Sequence, residues 1–258
     1  MLSWWLFSKN FGDAINPFLI EKISGECPKN IHFNIKEFFK QLITKEPIYL
    51  VVGSTLQWAV TKDTVIWGAG FISNKFKLKT KPRNIFAVRG PLSREVIMDS
   101  GIDCPKVYGD PVLLLPKFYQ PKIKKKYKLG IIPHHIDKKN QKIGIFRDKE
   151  NFLIIDICSN IKKVVDDILS CEKIISSALH GIIVSDAYNI PAYWVKFSDK
   201  VMGQDFKFKD YYLSIGQDEI KPINITKETT LDQVYENFYD YKISLDLDKL
   251  YETCPFKK

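Results

Sequence analysis

The chain has 258 residues, 45% of them hydrophobic and 27% charged, with 39 Lys and Arg against 30 Asp and Glu for a net charge of +9. That composition supports a sizeable buried core in one or two domains and excludes a disordered chain or a disulfide-stapled mini-protein. Its longest apolar runs, such as Ile48 to Val52 and Val112 to Leu115, fall far short of the roughly 20 residues that cross a bilayer, and its charge favours acidic partners: phosphorylated metabolites, anionic lipid or nucleic acid.

The opening Met1-Leu-Ser-Trp-Trp-Leu-Phe7 has no basic leader and no small-residue cleavage site, so it reads as a first strand, Leu2 to Phe7. Asn10-Phe11-Gly12-Asp13 then forms a turn, with Asp13 as N-cap of a helix from Ala14 to Ile23. A second helix from Ile35 to Leu42 carries Phe38, Phe39 and Leu42 at helical spacing. Strands at Ile48 to Val52, Thr64 to Trp67, Asn84 to Val88 and Lys106 to Tyr108 follow, with a helix from Pro91 to Asp99 that starts on proline. The lysine-rich stretch Lys117 to Lys128, bracketing Pro121, reads as a solvated linker or as a contact for phosphate or phospholipid.

The pattern then resumes with strands at Lys128 to Ile132, Phe152 to Ile157, Lys173 to Ser176 and Ala192 to Phe197, and helices at Ile161 to Leu169 and Leu179 to Tyr188. After about Gly216 the chain turns polar, and Thr230 to Phe238 is expected to cross back over the first half. Strands separated by helices predict an α/β fold of two parallel, doubly wound halves, 1–118 and 119–216, with a tail, 217–258. An active site is expected in a cleft between them, at the carboxyl ends of the strands.

Five cysteines, Cys27, Cys104, Cys158, Cys171 and Cys254, are odd in number and form no Cys-x-x-Cys pair, which predicts a reducing, cytoplasmic setting. No His, Cys and carboxylate set has zinc spacing, so no metal is expected. Asn10, Gly12 and Asp13 can shape a helix start or hold a sugar hydroxyl. Gly68 and Gly70 admit a ligand or another backbone, without completing Gly-x-Gly-x-x-Gly. Arg89 and Ser93 stand where a strand hands over to a helix, a natural anion site, the alternative being that Arg89 caps the strand or pairs with a carboxylate across the domains. Asp110, held extended by Pro111, either faces the cleft or ties its own loop. His134 and His135 follow a strand, while Ser176 and Ser177 precede His180 in the first turn of a helix, where the dipole favours anions.

Taken in order, Asn10-Phe11-Gly12-Asp13 with Asn16-Pro17, Trp67-Gly68-Ala69-Gly70-Phe71, Arg89-Gly90-Pro91-Leu92-Ser93, Gly109-Asp110-Pro111, Ile132-Pro133-His134, Ser176-Ser177-Ala178-Leu179-His180-Gly181 and Phe208-Lys209-Asp210-Tyr211-Tyr212 resemble the polysaccharide pyruvyltransferases, especially the branch acting on bacterial exopolysaccharides. The resemblance implies two Rossmann-like domains in a GT-B-like fold. It implies transfer of a pyruvyl group from phosphoenolpyruvate, as co-substrate and with no cofactor, to two hydroxyls of one sugar, giving a cyclic ketal. The first domain would take the acceptor and the second the donor.

It further implies that Arg89 engages the donor's negative groups and that His180 belongs to the catalytic site. Family members often carry arginine where this chain has Ala178, leaving His134, Lys196, Lys207 and Lys209 as candidates for a second cation. Asp13 or Asp110 would orient the acceptor diol. A lipid-linked acceptor, peripheral contact with the inner face of an anionic membrane and absence of nucleic acid complete the expectation. The competing readings are a glycosyltransferase using a nucleotide sugar and a catalytically silent anion-binding scaffold.

Overall fold

The computed structural model describes residues 1–3, 10–32, 34–147, 149–239 and 241–258. The chain divides into two compact units. Met1–Leu114, Gly203–Asp218 and Ser244–Lys258 make up the first, and Leu115–Met202 with Glu219–Ile243 the second.

In the first unit, strands β1 (Leu2–Ser3), β2 (Lys29–Asn30), β3 (Ile48–Leu50), β4 (Thr64–Trp67) and β5 (Asn84–Ala87) form a parallel sheet in the order β2-β1-β3-β4-β5. Helices α1 (Phe11–Ser24), α2 (Ile35–Thr44), α3 (Leu56–Ala59) and α4 (Pro91–Met98) connect them. In the second unit, β6 (Tyr127–Ile132), β7 (Phe152–Ile154), β8 (Cys171–Ser176), β9 (Ala192–Lys196) and β10 (Ile223–Asn224) form another parallel sheet, ordered β10-β9-β8-β6-β7. It is served by α5 (Ile161–Leu169) and α6 (Leu179–Ala187); α7 (Gln204–Ser214) returns to the first unit, α8 (Leu231–Glu236) belongs to the second and α9 (Leu247–Glu252) to the first.

Each sheet reads second, first, third, fourth, fifth strand from one edge, the flavodoxin-like order. Its direction of winding reverses between the first and third strands, here β1/β3 and β6/β8, and ligands of such sheets sit outside the carboxyl ends of the strands at that reversal. A parallel sheet is covered on both faces and therefore needs unbroken apolar strands. Leu129, Ile131 and Ile132 of β6 and Ile174 and Ile175 of β8 are fully buried. Each such side chain contributes roughly 1.5–3 kcal/mol by leaving water. Helix α6 is buried along nearly its whole length, so it is apolar around most of its circumference.

Several expectations change. Asn10, not Asp13, is the N-cap of the first helix: its carbonyl accepts from the amides of Asp13 and Ala14. Asp13 lies in the first turn, and Gly12 is a buried helical residue, not part of a turn. Asn16-Pro17 makes this early start possible. Pro17 has no N–H to offer the carbonyl of Asp13, and the Asn16 side-chain amide donates there instead, at 3.2 Å, as well as to Gly12 at 3.0 Å.

The first strand is described only at Leu2–Ser3; Trp4 to Phe7 lie outside the described residues. Lys106 to Tyr108 is reduced to a single bridge between Tyr108 and Val88. Thr230 to Phe238 does not cross over: Val234 and Phe238 pack with Tyr193 and Val195 in the second unit's own core, where the Tyr193 and Phe238 rings meet at 6.2 Å. It is Ser244–Lys258 that belongs to the first unit. There Trp67 donates its indole N–H to the Leu250 carbonyl at 3.0 Å, and Phe256 packs edge-on against Trp67 and Tyr49. Among the described residues no helix is long and apolar enough to cross a membrane.

Helix α7 fits against the loop before α4 so closely that a Cβ on Gly90 would lie 1.9 Å from the Asp210 carbonyl oxygen. That oxygen is backbone and cannot rotate away. Gly90→Ala is expected to lower unfolding free energy by about 3 kcal/mol. Gly144→Ala, which meets nothing within 4 Å, should stay within about 0.5 kcal/mol. Urea titrations of the three proteins compare them.

Candidate functional site

Arg89 leaves the end of β5 and is 1% exposed. Its Nε donates to Asp210 Oδ2 at 3.0 Å, Nη2 lies 2.9 Å from the same oxygen and donates to the Phe71 carbonyl at 2.6 Å, and Nη1 donates to Ser54 Oγ at 2.6 Å. Asp210 also accepts from the Ser93 amide at 2.8 Å and hydroxyl at 2.6 Å, while Ser93 Oγ accepts from the Phe71 amide at 3.0 Å. The anion held at the first turn of α4 is therefore the chain's own Asp210, and Arg89 pairs with it inside one unit.

The two glycines of Trp67-Gly68-Ala69-Gly70-Phe71 make room for the same assembly. A Cβ on Gly70 would meet the Arg89 guanidinium carbon at 2.6 Å, and one on Gly68, where φ is +93°, would meet the Pro111 ring at 2.2 Å. The close approach that these glycines permit is taken by Arg89 and Pro111. Asp110 is fully buried, and its Oδ1 accepts from the Val112 amide at 3.0 Å, fixing the turn that follows.

Lys207 lies three residues before Asp210 on the same helix and is also buried. Burial, and then the nearby Arg89 charge, push its pKa from 10.5 down to about 8. Two cations and one carboxylate in a dry environment leave an excess of positive charge that an anion would relieve. Lys209 is exposed on α7, and Lys196 is half-buried with its ammonium 5.4 Å from the Trp194 ring centre.

At the first sheet's reversal, Asn16 bridges α1 to the chain leaving β3, accepting from the Val52 amide at 3.1 Å and donating to its carbonyl at 3.3 Å. This fixes the start of α1, with half-buried Asn10 and Asp13, beside the carboxyl end of β3. At the second reversal, Ile132 and Ser176 are paired residues at the ends of β6 and β8. The Ser177 amide donates to the Ile132 carbonyl at 3.0 Å, and Ser177 Oγ accepts from the His134 amide at 2.8 Å. Ser176 Oγ donates to the Ile132 and Ala178 carbonyls and accepts from the Ala178 amide.

Both serines therefore act as staples that bring the loops carrying His134 and His180 together on neighbouring strands. Gly181 completes the fit, since a Cβ there would lie 2.3 Å from Ser176 Oγ. His134 is buried, stacks on His135 at 4.2 Å between ring centres, and accepts a long 3.4 Å bond at Nδ1 from the Ile136 amide. His180 is buried in the first turn of α6, whose N-cap, Ala178, offers no side-chain acceptor. An imidazole at a helix start can move a proton next to an anion held by the helix dipole.

Among the described residues, no three His, Cys, Asp or Glu side chains group closely enough to hold a metal ion. Burial pushes the Cys104 thiol up to about 12 and the Cys171 and Cys254 thiols up to about 11, which makes them poor nucleophiles. Asp210 and Ser54 had no assigned role from sequence. The one pointer to a carboxylate was Arg89 itself, because an arginine is almost never buried without a partner.

A family model described as Polysaccharide pyruvyl transferase matches residues 10–199. The matched stretch takes in both reversal points and every candidate residue except those on α7. Over 213 residues the chain is 30% identical to the uncharacterized protein L143 of Acanthamoeba polyphaga mimivirus, an alignment covering 80% of this chain and 71% of that protein. Over 215 residues it is 26% identical to the succinoglycan biosynthesis protein ExoV of Rhizobium meliloti (strain 1021), covering 80% of this chain and 62% of that one.

Asp210→Asn would leave Arg89 as an uncompensated buried cation and is expected to cost about 3–5 kcal/mol of stability. The Lys207 pKa is lower in the folded protein than in the unfolded one, so between about pH 8 and the ordinary lysine value of 10.5 the unfolded chain binds more protons and stability rises with pH. The stability of the wild type relative to Lys207→Met should therefore climb by up to about 3 kcal/mol over that window. Denaturant titrations from pH 7 to 10.5 measure it; a flat difference would contradict the buried, partly neutralised lysine.

Proposed function

The chain belongs to the polysaccharide pyruvyl transferase family, and from that premise we propose that this enzyme moves a pyruvyl group from phosphoenolpyruvate onto two hydroxyls of one sugar of a surface or secreted polysaccharide, or of its lipid-linked precursor, leaving a cyclic ketal. The observation that carries the reading is the position of the motif residues at the reversal points of both sheets: Asn10, Gly12 and Asp13 at the first, His134, Ser176, Ser177 and His180 at the second.

In the proposed reaction His180 delivers a proton to the methylene carbon of phosphoenolpyruvate, and the enol double bond supplies the electron pair. The neighbouring carbon becomes cationic. A sugar hydroxyl adds to it and gives up its proton; the carbon–oxygen bond to phosphate then breaks, the phosphate taking the pair. The second hydroxyl adds to the new cation, loses its proton and closes the ring.

The amides at the start of α6 suit the donor's carboxylate or phosphate, and His134 lines the neighbouring strand end. Asp13 orients the acceptor diol and accepts a proton. Arg89, with its guanidinium committed to Asp210, serves as a positioning residue for α7 and Lys207, and Lys207 supplies the buried positive charge that an incoming anion complements.

Incubation with phosphoenolpyruvate and galactose-, glucose- or mannosamine-type acceptors, following phosphate release and the mass of the sugar together, tests the reaction. Equal phosphate release and sugar mass gain are expected. Turnover that requires a nucleotide sugar would replace this reading with glycosyl transfer, and anion binding without turnover would make the protein a silent scaffold. His180→Ala should lower kcat on the order of 10²–10⁴-fold with the fold intact by circular dichroism. An unchanged rate would remove His180 from the mechanism.

A further inference from the structure

Helix α2 stands inside out. Its sequence, Ile35-Lys-Glu-Phe-Phe-Lys-Gln-Leu-Ile-Thr44, has a strongly two-sided pattern that predicts an apolar face against the core. The structure turns that face outward. Ile35 is 70% exposed, Phe38 47%, Phe39 57%, Leu42 44% and Ile43 84%.

At about 100° per residue these five side chains fill one arc of about 140°, and Glu37 and Gln41 lie outside it. The polar side is what ties the helix to its unit. Gln41 is buried and donates to the Glu46 carbonyl at 3.3 Å and to Asp63 Oδ2 at 3.0 Å, while Glu37 pairs with Lys29 at 2.8 Å. Asn34 caps the first turn by accepting from the Glu37 amide. The orientation is therefore specified by hydrogen bonds, and five large apolar side chains are held in water by design of the polar contacts. Contiguous apolar exposure of this kind marks a contact surface.

We propose that the outward face of α2 docks the protein onto an anionic lipid surface. The charge around the stripe selects the occupant. Lys36 and Lys40 follow Ile43 around the helix, both exposed, and Lys45 ends it, also exposed; residues 29–46 hold four lysines and two glutamates, with Lys29 paired to Glu37 and Lys40 3.7 Å from Glu46, in a chain of net charge +9. Phenylalanine, leucine and isoleucine on one side with lysines along the border is the pattern of a helix lying in the headgroup plane. A second copy of the chain fits less well, because a symmetric contact through this face would bring two sets of lysines together. This inference is independent of the transfer chemistry.

Sedimentation of the intact protein with phosphatidylglycerol–phosphatidylcholine vesicles tests it, with pure phosphatidylcholine vesicles as control. Binding to the anionic vesicles, weakening as salt is raised, is expected. Phe38→Ser/Leu42→Ser, at exposed positions and with its fold checked by thermal unfolding, should bind at least tenfold more weakly. Lys36→Glu/Lys40→Glu should bind the anionic vesicles more weakly by roughly fivefold per lysine while leaving weak binding to neutral vesicles unchanged. Absence of wild-type binding, equal binding to neutral vesicles, or full binding by the Phe38→Ser/Leu42→Ser variant would overturn the proposal. So would a wild-type dimer in light scattering that this variant dissolves, combined with no vesicle binding.

Discussion

The buried pair of Arg89 and Asp210 is the contact on which the first unit's arrangement turns. The two residues lie 121 positions apart, and one carboxylate meets a guanidinium, a backbone amide and a hydroxyl. The guanidinium in turn holds the Phe71 carbonyl and Ser54. Burying the two charges is costly, and good geometry with nearly every donor and acceptor used is the condition under which such a pair is tolerated. The close fits of Gly70 and Gly90 follow from it: any Cβ at either position would occupy space already held by Arg89 or Asp210. Through this pair a helix from late in the chain becomes part of the first unit, and Lys207 arrives with it.

The two sheets solve the same problem in different chemistry. At each reversal point side chains fix the loop after one strand to the loop after its neighbour. In the first unit a single asparagine does this, bonding both polar groups of Val52 while replacing the donor that Pro17 lacks. In the second, two adjacent serines and a glycine do it, with Ser177 holding His134 and Ser176 packed under Gly181. Both devices place small polar residues where sequence reading looks for nucleophiles. Their hydroxyl and amide groups are consumed by backbone, which leaves the imidazoles as the groups suited to proton transfer.

Much of the fold was legible because parallel strands buried on both faces announce themselves as short β-branched runs. The predicted strands and helices of the second half lie close to β6 through β9, α5 and α6, differing mainly by a few residues at their ends. Two-residue strands such as β2 and β10 carry too little pattern to be seen. The start of α1 was misplaced because Pro17 and Gly12 argue locally for a late start, and only the Asn16 side chain overrides them.

The orientation of α2 was hidden for another reason: periodicity shows that a helix has an apolar face and says nothing of what that face meets. Asp210 was invisible because its partner is distant in sequence. The glycines of residues 67–71 were legible as places of close approach, while the identity of what approaches needed the fold.

The helices of the two units begin in two different ways. The side chains of Asn34, Asn160, Thr230 and Asp246 cap α2, α5, α8 and α9 by accepting from their first amides, as helices with nothing else to bind at that end usually require. Helices α1, α3, α4, α6 and α7 carry no side-chain cap at their N-cap residues Asn10, Thr55, Gly90, Ala178 and Gly203. For α4 the acceptor is Asp210, brought in from another element. Of the others, α1 and α6 begin at the reversal points of their sheets, outside the carboxyl ends of the strands. A side chain reaching back to cap α6 would compete with an incoming carboxylate or phosphate for the same amides. Alanine at position 178 places no acceptor side chain at the start of α6.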